Sequence, residues 1–263
     1  MAANCFLAPE VEHRLNEAIL SETHESAAER LKMLARNADL ARSQKLPLCQ
    51  DTGMAVVFCE LGQDVHITGG LLEDAVNEGV RQGYARGWLR KSVVGDPLRR
   101  INTGDNTPAV LHARIVPGRH IRLTIVPKGF GSENMCRIKM LAPSEGAEGV
   151  KAFIKETVCL AGSNACPPFF IGVGIGGTFE KAALMSKEAL LGSLEDEHPD
   201  PYYASLEKEW LAMVNETGIG VQGFGGSVTA LALRIQAFAT HIAGLPVAVN
   251  VSCHVTRHAC TVI

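Results

Sequence analysis

The sequence predicts an α/β fold of mixed α+β character, with helices packed around a mixed β-sheet in one compact domain that has room for two lobes. Three observations carry this. Helical apolar spacing and short apolar strand runs alternate along the chain. The 26 Gly and 12 Pro are spread between these runs instead of gathering in a linker. A chain of 263 residues at 46% hydrophobic composition is also large enough to bury a sizeable core. Residues 1–24 read as an N-terminal segment, followed by a domain over 25–263.

The elements follow in order. Ala27, Leu31, Leu34, Ala38 and Ala41 recur at helical spacing with charged residues between them, predicting a helix over 25–44 that ends before Pro47. LPLCQDTG (46–53) is loop chemistry, and Met54 to Leu61 is an apolar strand. A helix over about 70–86 comes next, and NTGDNTP (102–108) is turn chemistry. Ala109–Val116 and His120–Pro127, separated by Pro117-Gly118, predict a hairpin. A helix is expected over about 146–161, and PPFFIGVG (167–174) predicts a buried strand. Thr178 is placed to cap a helix reaching about Leu191, and another helix spans 202–216. GIGVQGFGG (218–226) is a loop, Ser227 is read as the cap of a helix to about His241, and LPVAVNV (245–251) is a final strand.

Composition excludes several functions. Twenty-five basic against 28 acidic residues leave a formal charge of −3, so the chain has no basic field for nucleic acid or an anionic membrane. No apolar run approaches the ~18–20 residues that a membrane span requires. The N-terminus carries Glu10, Glu12, His13 and Arg14 and lacks a signal-peptide pattern, which predicts a cytoplasmic protein with reduced thiols.

Eight cysteines stand at 5, 49, 59, 136, 159, 166, 253 and 260, with no CxxC pair. Cys59, Cys136 and Cys159 lie in apolar or helical stretches and read as core. Cys5 falls in a terminus expected to be mobile, and Cys260 lies near the other end. Cys49, Cys166 and Cys253 instead sit in loops, beside Gln50-Asp51, Pro167-Pro168 and Ser252-His254. Three thiolates from three loops could hold an iron–sulfur cluster with one iron lacking a protein ligand, since complete ligation takes four; on residue context alone, small core residues are the plainer reading. His254, His258 and Cys260 suggest a zinc site only if that stretch is helical. Gly172, Gly174 and Gly177 match G-x-G-x-x-G, but an acidic residue ending a following strand is missing from LGSLEDEHPDPYY (191–203), which disfavours a dinucleotide. A loop favouring an anion at the helix N-terminus is what remains.

CQDTG (49–53), LRKS (89–92), NTGDNTPAV (102–110), GFGSENM (129–135), NACPPFFIGVGIGG (164–177) and HIAGLPVAVNVSCHVTRHA (241–259) together resemble the alpha subunit of class I fumarate hydratases, the iron–sulfur hydro-lyases. The resemblance runs from about residue 30 to 260, and marks 25–263 as an iron–sulfur hydro-lyase alpha domain. It implies a 4Fe-4S cluster on Cys49, Cys166 and Cys253, with an open iron as Lewis acid for the reversible hydration of fumarate to L-malate. Asp51, two residues from Cys49, is implied as the catalytic acid–base; an Asx-turn aspartate is the plainer reading. Arg90 is implied as the substrate-carboxylate ligand, against a solvated helix-end arginine. Gln50, Gly131 (through its backbone) and His241 are implied to contact substrate. Phe130 departs from the family, where relatives commonly carry glycine.

The resemblance further implies a separate beta subunit that supplies the rest of the site, and a higher oligomer. Tartrate dehydratase alpha subunits share CQDTG and NACPP, while LRKSVVGDP and SENM favour the fumarase branch. A non-catalytic cluster-binding subunit is the alternative of another class.

Overall fold

The computed structural model describes residues 1–263. Its helices are α1 (Ala2–Cys5), α2 (Pro9–Ser21), α3 (Glu25–Gln44), α4 (Leu72–Arg86), α5 (Phe130–Glu133), α6 (Gly146–Ala161), α7 (Phe179–Glu188) and α8 (Pro201–Asn215). Its strands are β1 (Met54–Gly62), β2 (Val110–Val116), β3 (Ile121–Lys128), β4 (Arg137–Leu141), β5 (Phe169–Gly176), β6 (Ala230–Phe238), β7 (Leu245–Ser252) and β8 (Ala259–Val262). Two compact units result: Met1–Ala8, Asn37–Phe130 and Arg257–Ile263 form the first, and Pro9–Arg36 with Gly131–Thr256 form the second. The α/β class expected from the sequence holds in both.

The first unit is a four-stranded sheet in the order β2-β1-β3-β8. MAVVFCELG is nearly all buried, which suits it to a central position. It pairs parallel with β2, through the crossover helix α4, and antiparallel with β3. The expected hairpin is therefore corrected: β2 and β3 flank β1 and do not pair with each other. The end of β1 enters between them, where Gly62 N–H donates to the His120 carbonyl and Gln63 N–H to that of Val116. A Cβ at Gly62 would lie 2.5 Å from the Gly118 carbonyl oxygen, so only glycine fits there. Val80, Tyr84 and Leu89 pack on Ala55 and Val57 to form the core.

The second unit is a sheet in the order β4-β7-β5-β6 with helices on both faces. Strand alternation divides β5 between them. Phe169, Ile171 and Val173 join Phe153, Ile154 and Val158 of α6 and Trp210 and Val214 of α8 in one core. Gly172 and Gly174 point to α7, where an added Cβ would come within 2.0 Å of the Ser186 carbonyl oxygen and 2.1 Å of that of Ala182. These glycines of the G-x-G-x-x-G match therefore serve helix–strand packing. Thr178 is the N-cap residue of α7, with its hydroxyl donating to Glu180 Oε1 at 2.7 Å. The helix that expectation placed after Ser227 is a strand, β6, parallel to β5. Ala230 to Leu233 are buried on both faces, so no alternation marks them as a strand, and neighbouring β5 overrides the helical propensity of Ala and Leu. Ser227 N–H and hydroxyl both donate to Glu22 at the end of α2, at 2.9–3.0 Å. These bonds hold the Glu22 carboxyl below its usual range although burial opposes this.

The cysteines sort differently from expectation in two places. Cys5 is buried in α1, and Cys159 is exposed on the outer face of α6; Cys59 is buried and Cys136 half-buried.

Candidate active site

In the first unit the loop Cys49–Gly53 runs from α3 into β1 and is pinned at successive residues. Asn37 Nδ2 donates to the Leu48 carbonyl at 2.9 Å, and Leu48 N–H donates to that of Asn4 at 2.8 Å. Buried Thr52 donates its hydroxyl to the Arg90 carbonyl at 3.0 Å, tying the CQDTG loop to the LRKS loop. Tyr84 on α4 donates its hydroxyl toward the carbonyls of Thr52 and Gly53, each at 2.8 Å. Arg257, also buried, donates from Nη2 to the Asp51 carbonyl and from Nε to that of Pro127. Gly53 has φ +76°, and a Cβ there would lie 2.7 Å from the Pro127 carbonyl carbon.

Asn106, fully buried, organises the neighbouring segment. Its Oδ1 accepts from Ser92 N–H at 2.6 Å and Val93 N–H at 3.1 Å, and its Nδ2 donates to the Gly53 carbonyl at 3.1 Å. It stands at φ +66°, a conformation Asn tolerates better than other side-chain-bearing residues. The loops carrying Asp51 and Arg90 are thereby built as one piece.

Asp51 is half-buried, and each carboxylate oxygen accepts one backbone N–H: Oδ1 from Gly53 at 2.9 Å and Oδ2 from Phe130 at 2.8 Å. The first contact is the Asx turn of the plainer reading; the second is long-range. Gln50 and Arg90 are exposed, and Cys49 is half-buried.

Tyr84 is a strongly perturbed acid of this loop system. Burial raises its phenol from 10.0 to about 12, with Arg257 opposing and Asp51 adding to the rise. The folded chain holds this proton more tightly than the unfolded chain does. Its contribution to stability is complete below pH 10 and is lost as the pH climbs through about 12. In thermal melts from pH 9 to 12, the wild type is expected to lose more stability across that window than Tyr84→Phe. Parallel curves would refute the linkage. The comparison isolates Tyr84 from Tyr203, whose phenol burial also raises.

In the second unit Cys166 follows a 3-10 turn (Gly162–Ala165) and lies in the left-handed region at φ 51°, ψ 68°. Gln222 of the glycine-rich loop donates to the Pro167 carbonyl twice, from Nε2 at 2.7 Å and from its backbone at 2.8 Å. His254, directly after Cys253, donates its N–H to the Cys166 carbonyl at 3.4 Å, and its Nδ1 lies 3.1 Å from the same oxygen. Cys166 and Cys253 are thus brought to one end of the sheet, before β5 and after β7. Gly131 belongs to the same end, since a Cβ added to it would lie 3.5 Å from the Asn164 carbonyl oxygen.

His241 does not join them. It precedes β7, which runs antiparallel to β5, so it lies at the opposite end of the sheet. Eight strand residues separate the ends by about 25 Å. There it lines a cavity of about 350 Å³ with Tyr202, Tyr203 and Trp210.

All eight cysteines are free. Cys49, Cys166 and Cys253 are each partly or fully exposed and sit on loops held by neighbouring hydrogen bonds, a donor set that suits thiolate ligation of a cluster. No three His, Cys, Asp or Glu side chains are grouped to hold a metal ion. Cluster thiolates bind different irons and need not meet as the ligands of one ion do. Residues 254–258 are not helical, so the condition for the His254–His258 zinc reading is not met.

Tyr84, Asn106, Arg257 and Gln222 were not singled out from the sequence. Asn106 had one available signal: an Asn inside a turn motif already matched to the family. No helix of the chain is long and apolar enough to cross a membrane.

Comparison with known proteins bears on the family. A family model described as "Fumarate hydratase (Fumerase)" matches residues 1–262. A protein of Methanocaldococcus jannaschii named "Putative L(+)-tartrate dehydratase subunit alpha" is 38% identical over 263 residues, covering 98% of this chain and 92% of that one. The L(+)-tartrate dehydratase subunit alpha of Escherichia coli K12 is 34% identical over 215 residues, covering 80% of this chain and 70% of the other. With a match along nearly its whole length, the chain belongs to the fumarate hydratase family of hydro-lyases.

Proposed function

We propose that this chain is the alpha subunit of an iron–sulfur hydro-lyase that interconverts fumarate and L-malate in the cytoplasm, completed by a beta subunit in a larger assembly. The observation that carries the reading is Asp51: a carboxylate with both oxygens oriented by backbone N–H groups, two residues from Cys49, in a chain of this family. Cys49, Cys166 and Cys253 would hold a 4Fe-4S cluster. When bound, such a cluster supplies Lewis acidity for a poor hydroxide leaving group.

Asp51 takes the proton from the substrate carbon in dehydration and returns it in hydration. A carboxylate offers about four acceptor positions. The two N–H bonds occupy two of these, fix the plane of the group and leave room for the proton. Arg90 is exposed, and its backbone is tied to the loop of Asp51 through Thr52, so its guanidinium can grip a substrate carboxylate bidentately. Gln50, exposed and next to Asp51 in the chain, would add an amide, and the Gly131 backbone would add a donor. His241, which the resemblance assigns to substrate contact, stands at the opposite end of the second unit's sheet from Cys166 and Cys253.

A second reading, L(+)-tartrate as substrate, is favoured by the names of the relatives. The alpha–beta complex, prepared without oxygen, is expected to show kcat/KM for L-malate well above that for L(+)-tartrate. Faster turnover of tartrate would replace fumarate with tartrate and leave the chemistry of Asp51 unchanged.

A further inference from the structure

Arg257 is only 6% exposed, a rare setting for a side chain that keeps its charge throughout the physiological pH range. Both hydrogen bonds of its side chain go to main-chain carbonyls, from Nε to Pro127 at 3.2 Å and from Nη2 to Asp51, and no carboxylate pairs with it. Burying a guanidinium without an acid partner is costly, and two neutral acceptors offset only part of that cost.

The place of Arg257 in the first unit's sheet connects it to Asp51. Strands β1 and β3 pair as far as Met54 and Lys128, the last rung of their ladder. Asp51 lies before that rung and Phe130 after it, so no ladder bond fixes one against the other. Yet Phe130 N–H donates to Asp51 Oδ2 at 2.8 Å, and the plane of the carboxylate depends on that spacing. Arg257 stands just ahead of β8, which pairs with β3 on the side away from β1. From there it spans the gap, with Nε on the end of β3 and Nη2 on the loop of Asp51. A Cβ added to Gly129 would lie 3.3 Å from Asp51 Oδ2 and 4.0 Å from Arg257 Nη2, so carboxylate and guanidinium flank the same glycine.

We infer that Arg257 is a positioning residue for Asp51, aligning its carboxylate for proton transfer by clamping the 49–53 loop to the end of β3; this rests on the acid–base reading of Asp51 above. The rigid planar fork suits two carbonyls held at a fixed separation. A lysine ammonium on its flexible stem keeps the charge and loses that geometry.

The test uses the alpha–beta complex prepared without oxygen, with kcat expressed per cluster from the iron content of each preparation. Arg257→Lys is expected to lower kcat by about 10²-fold, the scale for a misplaced reacting group, with KM within about threefold of wild type. In an Asp51→Asn background the same change is expected to add less than about threefold, because the carboxylate it positions is gone. Hydrogen exchange of the Gly53 and Phe130 amides, both bonded to Asp51, is expected to quicken about tenfold in Arg257→Lys. Unchanged exchange, or kcat per cluster near wild type, would overturn the proposal and leave Arg257 a residue of the fold alone. A loss confined to KM, or an equal loss with and without the Asp51 carboxylate, would overturn it by making Arg257 a substrate ligand. If Asp51→Asn alone keeps wild-type activity, the acid–base reading fails and the inference falls with it.

Discussion

Asp51→Asn is expected to lower kcat by about 10²–10⁴-fold, the range of a lost general acid–base, with a much smaller change in KM. The substitution is chosen because asparagine is itself a favoured Asx-turn residue. Its Oδ1 can still accept the Gly53 N–H that Asp51 now accepts at 2.9 Å. If Asp51 only shaped the loop, Asn would largely replace it and activity would fall little. If its carboxylate moves the proton, the loop survives and the rate does not. The change also sets an amide NH₂ against the Phe130 N–H, so a local shift is expected on that side. Unchanged iron content and thermal stability, measured on the same preparation, would assign the loss to chemistry. A variant within about threefold of wild type would return Asp51 to a structural role.

The second large effect is on stability. Asn106→Ala is expected to cost about 3–5 kcal/mol, read from denaturant unfolding. The residue is wholly buried and makes three hydrogen bonds to backbone groups of two loops. Truncation strands the Ser92 and Val93 N–H groups and the Gly53 carbonyl away from water. It also forces a Cβ-bearing residue without a compensating side chain to stay at φ +66°. Asn106→Gly removes the bonds and not the backbone conformation, so it should recover about 1 kcal/mol of that loss, before allowance for the greater freedom of glycine in the unfolded chain. Because the same bonds align the loops of Asp51 and Arg90, activity should fall in Asn106→Ala even where the chain is fully folded. A cost under 1 kcal/mol would mean that these loops are held by Tyr84, Thr52 and Arg257 alone.

Much of the fold was legible because its elements carry distinct periods. α3 shows helical spacing of Ala and Leu, and β1 and β5 are short apolar runs bounded by turn residues. β6 was not legible: ALALRIQAF is a sequence of good helix formers, and burial on both faces removes the alternation that would betray a strand. The supposed hairpin failed for a different reason. Its turn chemistry is real, but which strand lies beside which is decided by the buried β1, far away in sequence. Cys159 misled because a small apolar residue in an amphipathic helix can fall on either face.

For the candidate site, loop context and motif pointed to Cys49, Asp51, Cys166 and Cys253, which stand beside residues that break regular structure. The residues that hold those loops do not. Tyr84 looks like any helical aromatic, and Arg257 like any surface cation, until the chain brings buried carbonyls to them. His241 carries a motif without carrying its location, which strand direction alone reveals.

Cys49, Cys166 and Cys253 are proposed to hold a cluster, with Asp51, two residues from Cys49, moving protons. The most direct measurement is iron and acid-labile sulfide per alpha chain in the complex purified without oxygen, in wild type and in Cys166→Ser. About four of each in wild type, lost in the variant, is the expected result. No iron in wild type, or iron indifferent to the substitution, would contradict it.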